Sequence, residues 1–344
     1  MHPPKPKIFL ASPARRGANN GNWQTASRWT RFLRGTYDVA SEVEWRQSAN
    51  PADEPACLIA LHARRSAESV ARFAQSFPDR PIVVVLTGTD LYRDIRSDES
   101  AQRSIDLATH LVTLQDEGPN ELNELHRAKC RVIYQSASYQ PISVPDWQPH
   151  TTFDVAFVGH MRAEKDPLTP MRAIESLPND SRVRLIHIGN ALEDEYRVAA
   201  QALQARQWSG TQRYLWLGAL PHAQTRRHIG SAQALVISSL MEGGANVIIE
   251  AVIAGVPVIA SDVAGNVGML GRDYEGYFTA GNHDELARLL DRISRDESAL
   301  KLLSQQCARR KPLFAPEREK SHVNALIRDA LSTAASRPPL LITR

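Results

Sequence analysis

The chain has 344 residues, enough for two domains of ordinary size, each with its own core. Hydrophobic residues make up 42% of it, but no run approaches the ~20 uncharged apolar residues of a membrane span. A net charge of +3 gives no electrostatic reason to expect a nucleic acid. The cysteines, Cys57, Cys130 and Cys307, are widely spaced and form no Cys-x-x-Cys, which predicts reduced thiols in a cytoplasmic protein and argues against a zinc site.

The first apolar run is KIFLA (7–11). Lysines precede it, yet it is too short for a secretory signal, and a strand is expected instead. A Gly/Asn loop and the helical NWQTASRWTRFLRG follow, with Gly35 as the stop. CLIAL (57–61) precedes a helix over 66–77, PIVVVL (81–86) precedes a polar segment, and HLVTL (110–114) and RVIY (131–134) complete the first half. Unbroken β-branched runs with helices between them are the pattern of a parallel sheet covered on both faces. Residues 140–150, QPISVPDWQPH, carry prolines but no helical or strand period, and read as a linker. The alternation then restarts with FDVAFVG (153–159), RLIHIG (184–189), RYLWLG (213–218), ALVIS (234–238) and VPVIAS (256–261). From about residue 283 the tail is helical, with Pro312 and Pro316 breaking it before a last helix near 317–333. The expected architecture is α/β, with two doubly wound domains joined by a linker. Ligands in such sheets bind outside the carboxyl ends of the strands.

Residues 241–261, MEGGANVIIEAVIAGVPVIAS, form the loop and helix between two of these strands and hold two carboxylates in an apolar run. Gly243 and Gly244 let the backbone turn tightly and approach a ligand. Ala245 or Asn246 opens the helix, with Val247 in its first turn, and unpaired N–H groups at such a terminus suit a phosphate. Carboxylates instead accept hydrogen bonds from hydroxyls, so Glu242 beside the loop and Glu250 on the helix complete an arrangement suited to a nucleotide sugar. The alternative for each glutamate alone is bland: Glu242 offsets the helix dipole and Glu250 faces solvent. Arginine also clusters at Arg15/Arg16, Arg64/Arg65, Arg93/Arg96 and Arg226/Arg227. Arg226 and Arg227 fall mid-helix and read as solvated.

With Glu-x7-Glu leading into EAVIAGVPVIAS, the chain resembles GT-B glycosyltransferases of the family 4 type. A second mark of that family, VGHMRAEKDP, follows the first strand of the second half. The resemblance implies two Rossmann-like doubly wound domains facing a cleft: 1–140 for the acceptor, 141–150 as linker, 151–312 for the nucleotide sugar, and 313–344 as a helix crossing back to the first domain. It places Arg162 and Lys165 on the donor diphosphate beside Gly159, with His160 and Met161 departing slightly from the usual spacing. It also sets Gly189 and Asn190 against the donor, Gly218 and Leu220 against its base through backbone groups, Glu250 on the ribose hydroxyls and Glu242 on a hydroxyl of the transferred sugar. Catalytic roles then fall to Lys165, Arg162 and Glu242. No metal or other cofactor is implied, since the chain has no Asp-x-Asp at a strand end.

GNWQTASRW, ALHARRSA and LTGTDLYRD in the first half resemble the selenosugar synthase subfamily of selenoneine biosynthesis. That resemblance implies UDP-sugar (UDP-GlcNAc or UDP-glucose) and selenophosphate as substrates, with no nucleic acid and no stable membrane partner. Selenophosphate is already an anion and needs holding rather than deprotonation. Backbone N–H groups near Gly21 and Asn22, the hydroxyls of Thr87 and Thr89 in the loop Thr87-Gly88-Thr89-Asp90, and the guanidinium forks of Arg64 or Arg65 are the expected cradle. His62 is the candidate to assist there, and Asp90 either serves it or pairs with Arg93 as a structural clamp. A hydroxyl acceptor, lipid or glycan, is the alternative within the same fold.

Overall fold

The computed structural model describes residues 4–14, 21–138, 152–206, 208 and 212–335. The chain divides into two compact units, Met1–Gln135 with Pro316–Arg344, and Ser136–Ala315. The proposed linker and the Arg15/Arg16 pair lie outside the described residues.

Six parallel strands build the first unit: β1 (Lys7–Ala11), β2 (Asp38–Glu42), β3 (Cys57–Leu61), β4 (Ile82–Val85), β5 (His110–Thr113) and β6 (Cys130–Val132). Their order is β2-β1-β3-β4-β5-β6. Because side chains alternate across a strand, β3 and β4 feed two cores. Ile59, Leu61, Val83 and Val85 join Trp29, Leu33, Leu326 and Ile327 on one face. Leu58, Ala60, Ile82 and Val84 join Phe73 and Ile105 on the other. Helix Gly21–Leu33 buries Thr25, Ala26, Trp29, Thr30 and Leu33, a stripe at helical spacing that lies on the first of these cores.

Helix Pro316–Ala335 belongs to this same unit. Glu319, fully buried, accepts from Trp29 Nε1 at 2.8 Å and from Arg28 Nε at 2.7 Å. Pro316 starts this helix rather than merely breaking the one before it: a first-turn N–H has no helical partner to lose, and the ring fixes a helical φ.

The second unit repeats the plan with β7 (Phe153–Val158), β8 (Val183–Ile188), β9 (Tyr214–Trp216), β10 (Ala234–Ile237), β11 (Val258–Ser261) and β12 (Tyr277–Phe278). All are parallel, in the order β12-β11-β10-β7-β8-β9. Counted within the unit and read from the β9 edge this is 3-2-1-4-5-6, the Rossmann order, whereas the first unit runs 2-1-3-4-5-6. The strand order therefore reverses between β7 and β10 in one unit and between β1 and β3 in the other, and a crevice opens at the carboxyl ends of each of those pairs. Sequence reading missed β2 and β12, both edge strands. DVASE in β2 alternates burial with exposure, and β12 is only two residues long, so neither gives an apolar run.

Candidate active site

In the second unit the reversal point brings together residues 77 positions apart. The chain leaves β7 through Gly159 and turns in a short 3-10 helix, Ala163–Lys165, closed by Asp166 in the left-handed region at φ 43°. Ser238, just past β10, donates to the carbonyls of Lys165 and Asp166, each at 2.9 Å, and so pins this turn against the neighbouring strand end. Lys165 Nζ is delivered onto Glu242 Oε1 in a charge-assisted hydrogen bond. Ser239 Oγ donates to the same carboxylate oxygen at 2.8 Å. Glu242 is 9% exposed and held by side chains.

A chain of buried polar groups stands behind it. Ser261 Oγ donates to the Ser239 carbonyl at 2.6 Å, and Asn266 Nδ2 donates to Ser261 Oγ at 3.0 Å. Gly265 packs so closely that a Cβ there would sit 1.7 Å from the Glu242 carbonyl oxygen. Ser239, Gly265 and Asn266 gave no sequence signal, because serines and small residues at strand and helix ends are ordinary.

Gly243 and Gly244 lead to Ala245, an extended residue at the N-cap of helix Asn246–Ala254. No side chain caps this terminus and no acidic residue stands in its first turn, so the N–H groups around Asn246 and Val247 remain available to an anion. Glu250, on the same helix, meets His222 Nε2 at 2.6 Å. His222 opens helix His222–Ser231, which follows Gly218 and Leu220; it too lies outside the residues that the sequence singled out.

The loops after β7, β8 and β9 form one ledge. The Gly189 N–H donates to the Gly218 carbonyl at 2.8 Å, Ala219 N–H to Asn190 Oδ1 at 3.1 Å, and Met161 N–H to the Asn190 carbonyl at 2.8 Å. Asn190 N–H donates to His160 Nδ1 at 3.0 Å, so His160 and Met161 are structural parts of the ledge. Gly189 has φ 152°, and a Cβ there would meet the Gly159 carbonyl oxygen at 1.9 Å. Beneath it His187 is fully buried, with Nδ1 2.8 Å from the Tyr214 hydroxyl and Nε2 3.4 Å from the Gly159 carbonyl. Burial pushes its pKa down to about 3, so the ring is neutral at physiological pH. Arg162 is exposed, 3.8 Å from Glu164. Arg226 is not simply solvated, as its Nη2 donates to the Ser138 carbonyl at 2.5 Å.

The first unit's reversal point is wired differently. His62 leaves β3 at φ 72°, a conformation L-residues rarely adopt, with its ring almost fully buried and Nε2 3.1 Å from Thr89 Oγ1. Burial, opposed by Asp90 and Asp94 nearby, lowers its pKa below the usual histidine range. Residues Asp90–Asp94 form a π-helical turn, a device found often at functional sites.

Instead of pairing with Arg93, Asp90 accepts from the backbone N–H of Ala63 (2.9 Å), Thr87 (2.9 Å) and Gly88 (2.8 Å), with Thr87 Oγ1 at 3.4 Å. The N–H groups of Ala63, Thr87 and Gly88 are thus spent on Asp90. Arg93 Nε lies 3.2 Å from Asp94 Oδ1, and Arg64 Nε lies 2.9 Å from Asp94 Oδ2. Arg65 is exposed, and its N–H approaches His62 Nδ1 at 3.4 Å. Gly21 and Asn22 begin helix Gly21–Leu33, which has no acidic residue in its first turn. Among the described residues, no three His, Cys, Asp or Glu side chains gather as a metal would need, and no helix is long and apolar enough to cross a membrane.

Similarity to known proteins follows the same geography. Residues 145–310, a little under half the chain, match the sequence model of Glycosyl transferases group 1. The matched stretch lies within the second unit. No curated protein sequence matches the chain. Among solved structures it is similar to Anabaena HepE in complex with UDP-glucose, at 16% identity over 94% of this chain and 99% of that one, with a TM-score of 0.72. It is similar as well to sucrose-phosphate synthase from Thermosynechococcus elongatus, at 16% identity over 96% and 100%, TM-score 0.76. A UDP-forming α,α-trehalose-phosphate synthase from Burkholderia vietnamiensis gives 10% identity over 98% and 100%, TM-score 0.75. These likenesses define the fold as the two-domain α/β architecture called GT-B.

Proposed function

We propose that this protein is a UDP-sugar glycosyltransferase whose second unit holds the donor. The observation that carries the reading is Lys165 set against Glu242 where the β7–β10 strand order reverses. Lys165, with Arg162, supplies fixed positive charge to a diphosphate that gains negative charge as the sugar–oxygen bond breaks, and stabilisation confined to that moment accelerates the reaction. The uncapped N-terminus at Asn246 and Val247 takes a phosphate, Glu242 a sugar hydroxyl, and Glu250 the ribose. Gly218 and Leu220 lie against the base through backbone groups, on a ledge that Gly189 and Asn190 brace with their own backbone hydrogen bonds. The group 1 match supports the choice of donor, as does the UDP-glucose held by the structurally similar HepE.

Selenophosphate is the acceptor we propose. Its selenium attacks the anomeric carbon, the electron pair of the breaking bond leaves on the β-phosphate oxygen of UDP, and the phosphoryl group is then lost to water, leaving a 1-selenosugar. Such a nucleophile needs cations rather than a base. Arg64 and Arg65 stand at the end of β3, Arg64 beside Asp94, while Asp90 in the neighbouring loop is saturated by backbone N–H groups. The depressed pKa of His62 favours one second reading: a neutral imidazole able to take the proton of a hydroxyl acceptor.

Phosphorus and selenium NMR of the protein with UDP-GlcNAc or UDP-glucose and selenophosphate separates the two. Joint appearance of UDP, phosphate and a carbon-bound selenium resonance is expected. If UDP is made only when a hydroxyl acceptor is added, the second reading replaces the first.

A further inference from the structure

His222 lies in no part of the set drawn from the sequence, yet its contact is among the tightest of the donor unit. It follows directly on the loop that carries Gly218 and Leu220 and opens helix His222–Ser231. Its Nε2 reaches back 2.6 Å to Oε1 of Glu250, on the helix that follows β10. The histidine side chain is 43% exposed and the carboxylate 10%. An exposed residue therefore holds a nearly buried one, across two loops that proposed donor binding assigns to base and ribose.

Glutamate has three side-chain torsions, and a free carboxylate offers about four lone-pair directions on its two oxygens. Binding a vicinal diol through one carboxylate requires that its plane be fixed beforehand. Otherwise the rotamer freedom lost on binding offsets the hydrogen bonds gained. An imidazole N–H on Oε1 fixes that plane and leaves Oε2 to the ligand.

We propose that His222 is the positioning residue for Glu250, and that the His222–Glu250 pair, not Glu250 alone, gives this protein its preference for a ribonucleotide over one lacking the ribose hydroxyls. This rests on the reading of Glu250 as the ribose contact. A merely structural tie between two helices would affect every ligand alike; a positioning residue affects only ligands that have the diol.

Isothermal titration of the full chain with UDP and with 2′,3′-dideoxy-UDP tests it, using wild type, His222→Ala, His222→Gln, Glu250→Gln and the double variant His222→Ala with Glu250→Gln, with thermal melts to check that each variant is folded. The wild type is expected to bind UDP at least about tenfold more tightly than the dideoxy compound, the effect of one hydrogen bond to a charged group. His222→Ala is expected to lose most of that ratio by weakening UDP alone, His222→Gln to recover part of it, and His222→Ala on top of Glu250→Gln to add nothing. Should His222→Ala keep the wild-type ratio, or weaken both ligands equally, the inference fails while donor binding stands. Should the wild type bind neither nucleotide, or Glu250→Gln leave its ratio untouched, the donor reading itself fails.

Discussion

Asp90 and Glu242 occupy equivalent stations in the two units. Each is a carboxylate just past the carboxyl end of a parallel strand, close to where the strand order reverses, and each is buried, at 0% and 9% exposure. Their partners differ in kind. Asp90 is satisfied by the N–H groups of Ala63, Thr87 and Gly88, which the fold fixes in place. Glu242 is satisfied by Lys165 Nζ and Ser239 Oγ, side-chain groups that can be shared with a ligand. A carboxylate locked by main chain organises a loop, whereas one held by mobile donors can exchange them for substrate hydroxyls. The histidines follow a similar division. His187 is sealed beneath the ledge, while His62 sits at φ 72° at the end of its strand, against Thr89.

The largest effect expected from this contrast is in acid. The pKa of His187 in the folded protein, about 3, lies below its ordinary value near 6.5, so between these pH values the unfolded chain binds the proton and the folded one does not. The stability His187 contributes is complete above about pH 6.5 and is lost as pH falls toward 3, with a limit of about 5 kcal/mol. Urea unfolding of the second unit's signal at about pH 7 and about pH 4, on either side of the ordinary histidine value, measures it, and His187→Gln should flatten the difference.

Asp90→Ala comes next. It strands three N–H groups, those of Ala63 and Gly88 buried and that of Thr87 half-buried, and should cost about 3–5 kcal/mol of stability; a melting temperature indistinguishable from wild type would show that Asp90 is not the loop's clamp. Glu242→Gln should leave the melt nearly unchanged, and the gap between these two variants is the direct measure of the contrast. Lys165→Ala should lower turnover about 10²–10³-fold with the fold intact, the effect of removing one fixed donor to developing charge. Wild-type turnover after that substitution would move the diphosphate elsewhere. Ser239→Ala removes one of the donors to Glu242 and should cost about 1 kcal/mol, read as a several-fold fall in kcat without a change in UDP affinity. Smallest of all is the response to EDTA: turnover is expected to survive chelation, and its abolition would bring a metal into the donor site.

Much of this architecture could be read along the chain because it is local. CLIAL and IVVV are apolar at every position since both sheet faces are covered, and that pattern survives in one dimension. The edge strands β2 and β12 escaped because one is only alternately buried and the other is very short. Of the site, Glu242, Gly243, Gly244 and Glu250 announced themselves as polar and flexible residues in an apolar run. His222 did not, since its significance lies wholly in a contact 28 residues away.

The sequence by itself therefore determined the α/β alternation, the two sheets and the residue types on the donor loop, because burial and backbone freedom are imposed residue by residue. Only the tertiary structure decided which carboxylate is spent on backbone and which on lysine, and that histidine stands behind Glu250. Hydrogen-bond partners are set by where strands end in space, and a parallel sheet brings together strand ends that the sequence keeps tens of residues apart.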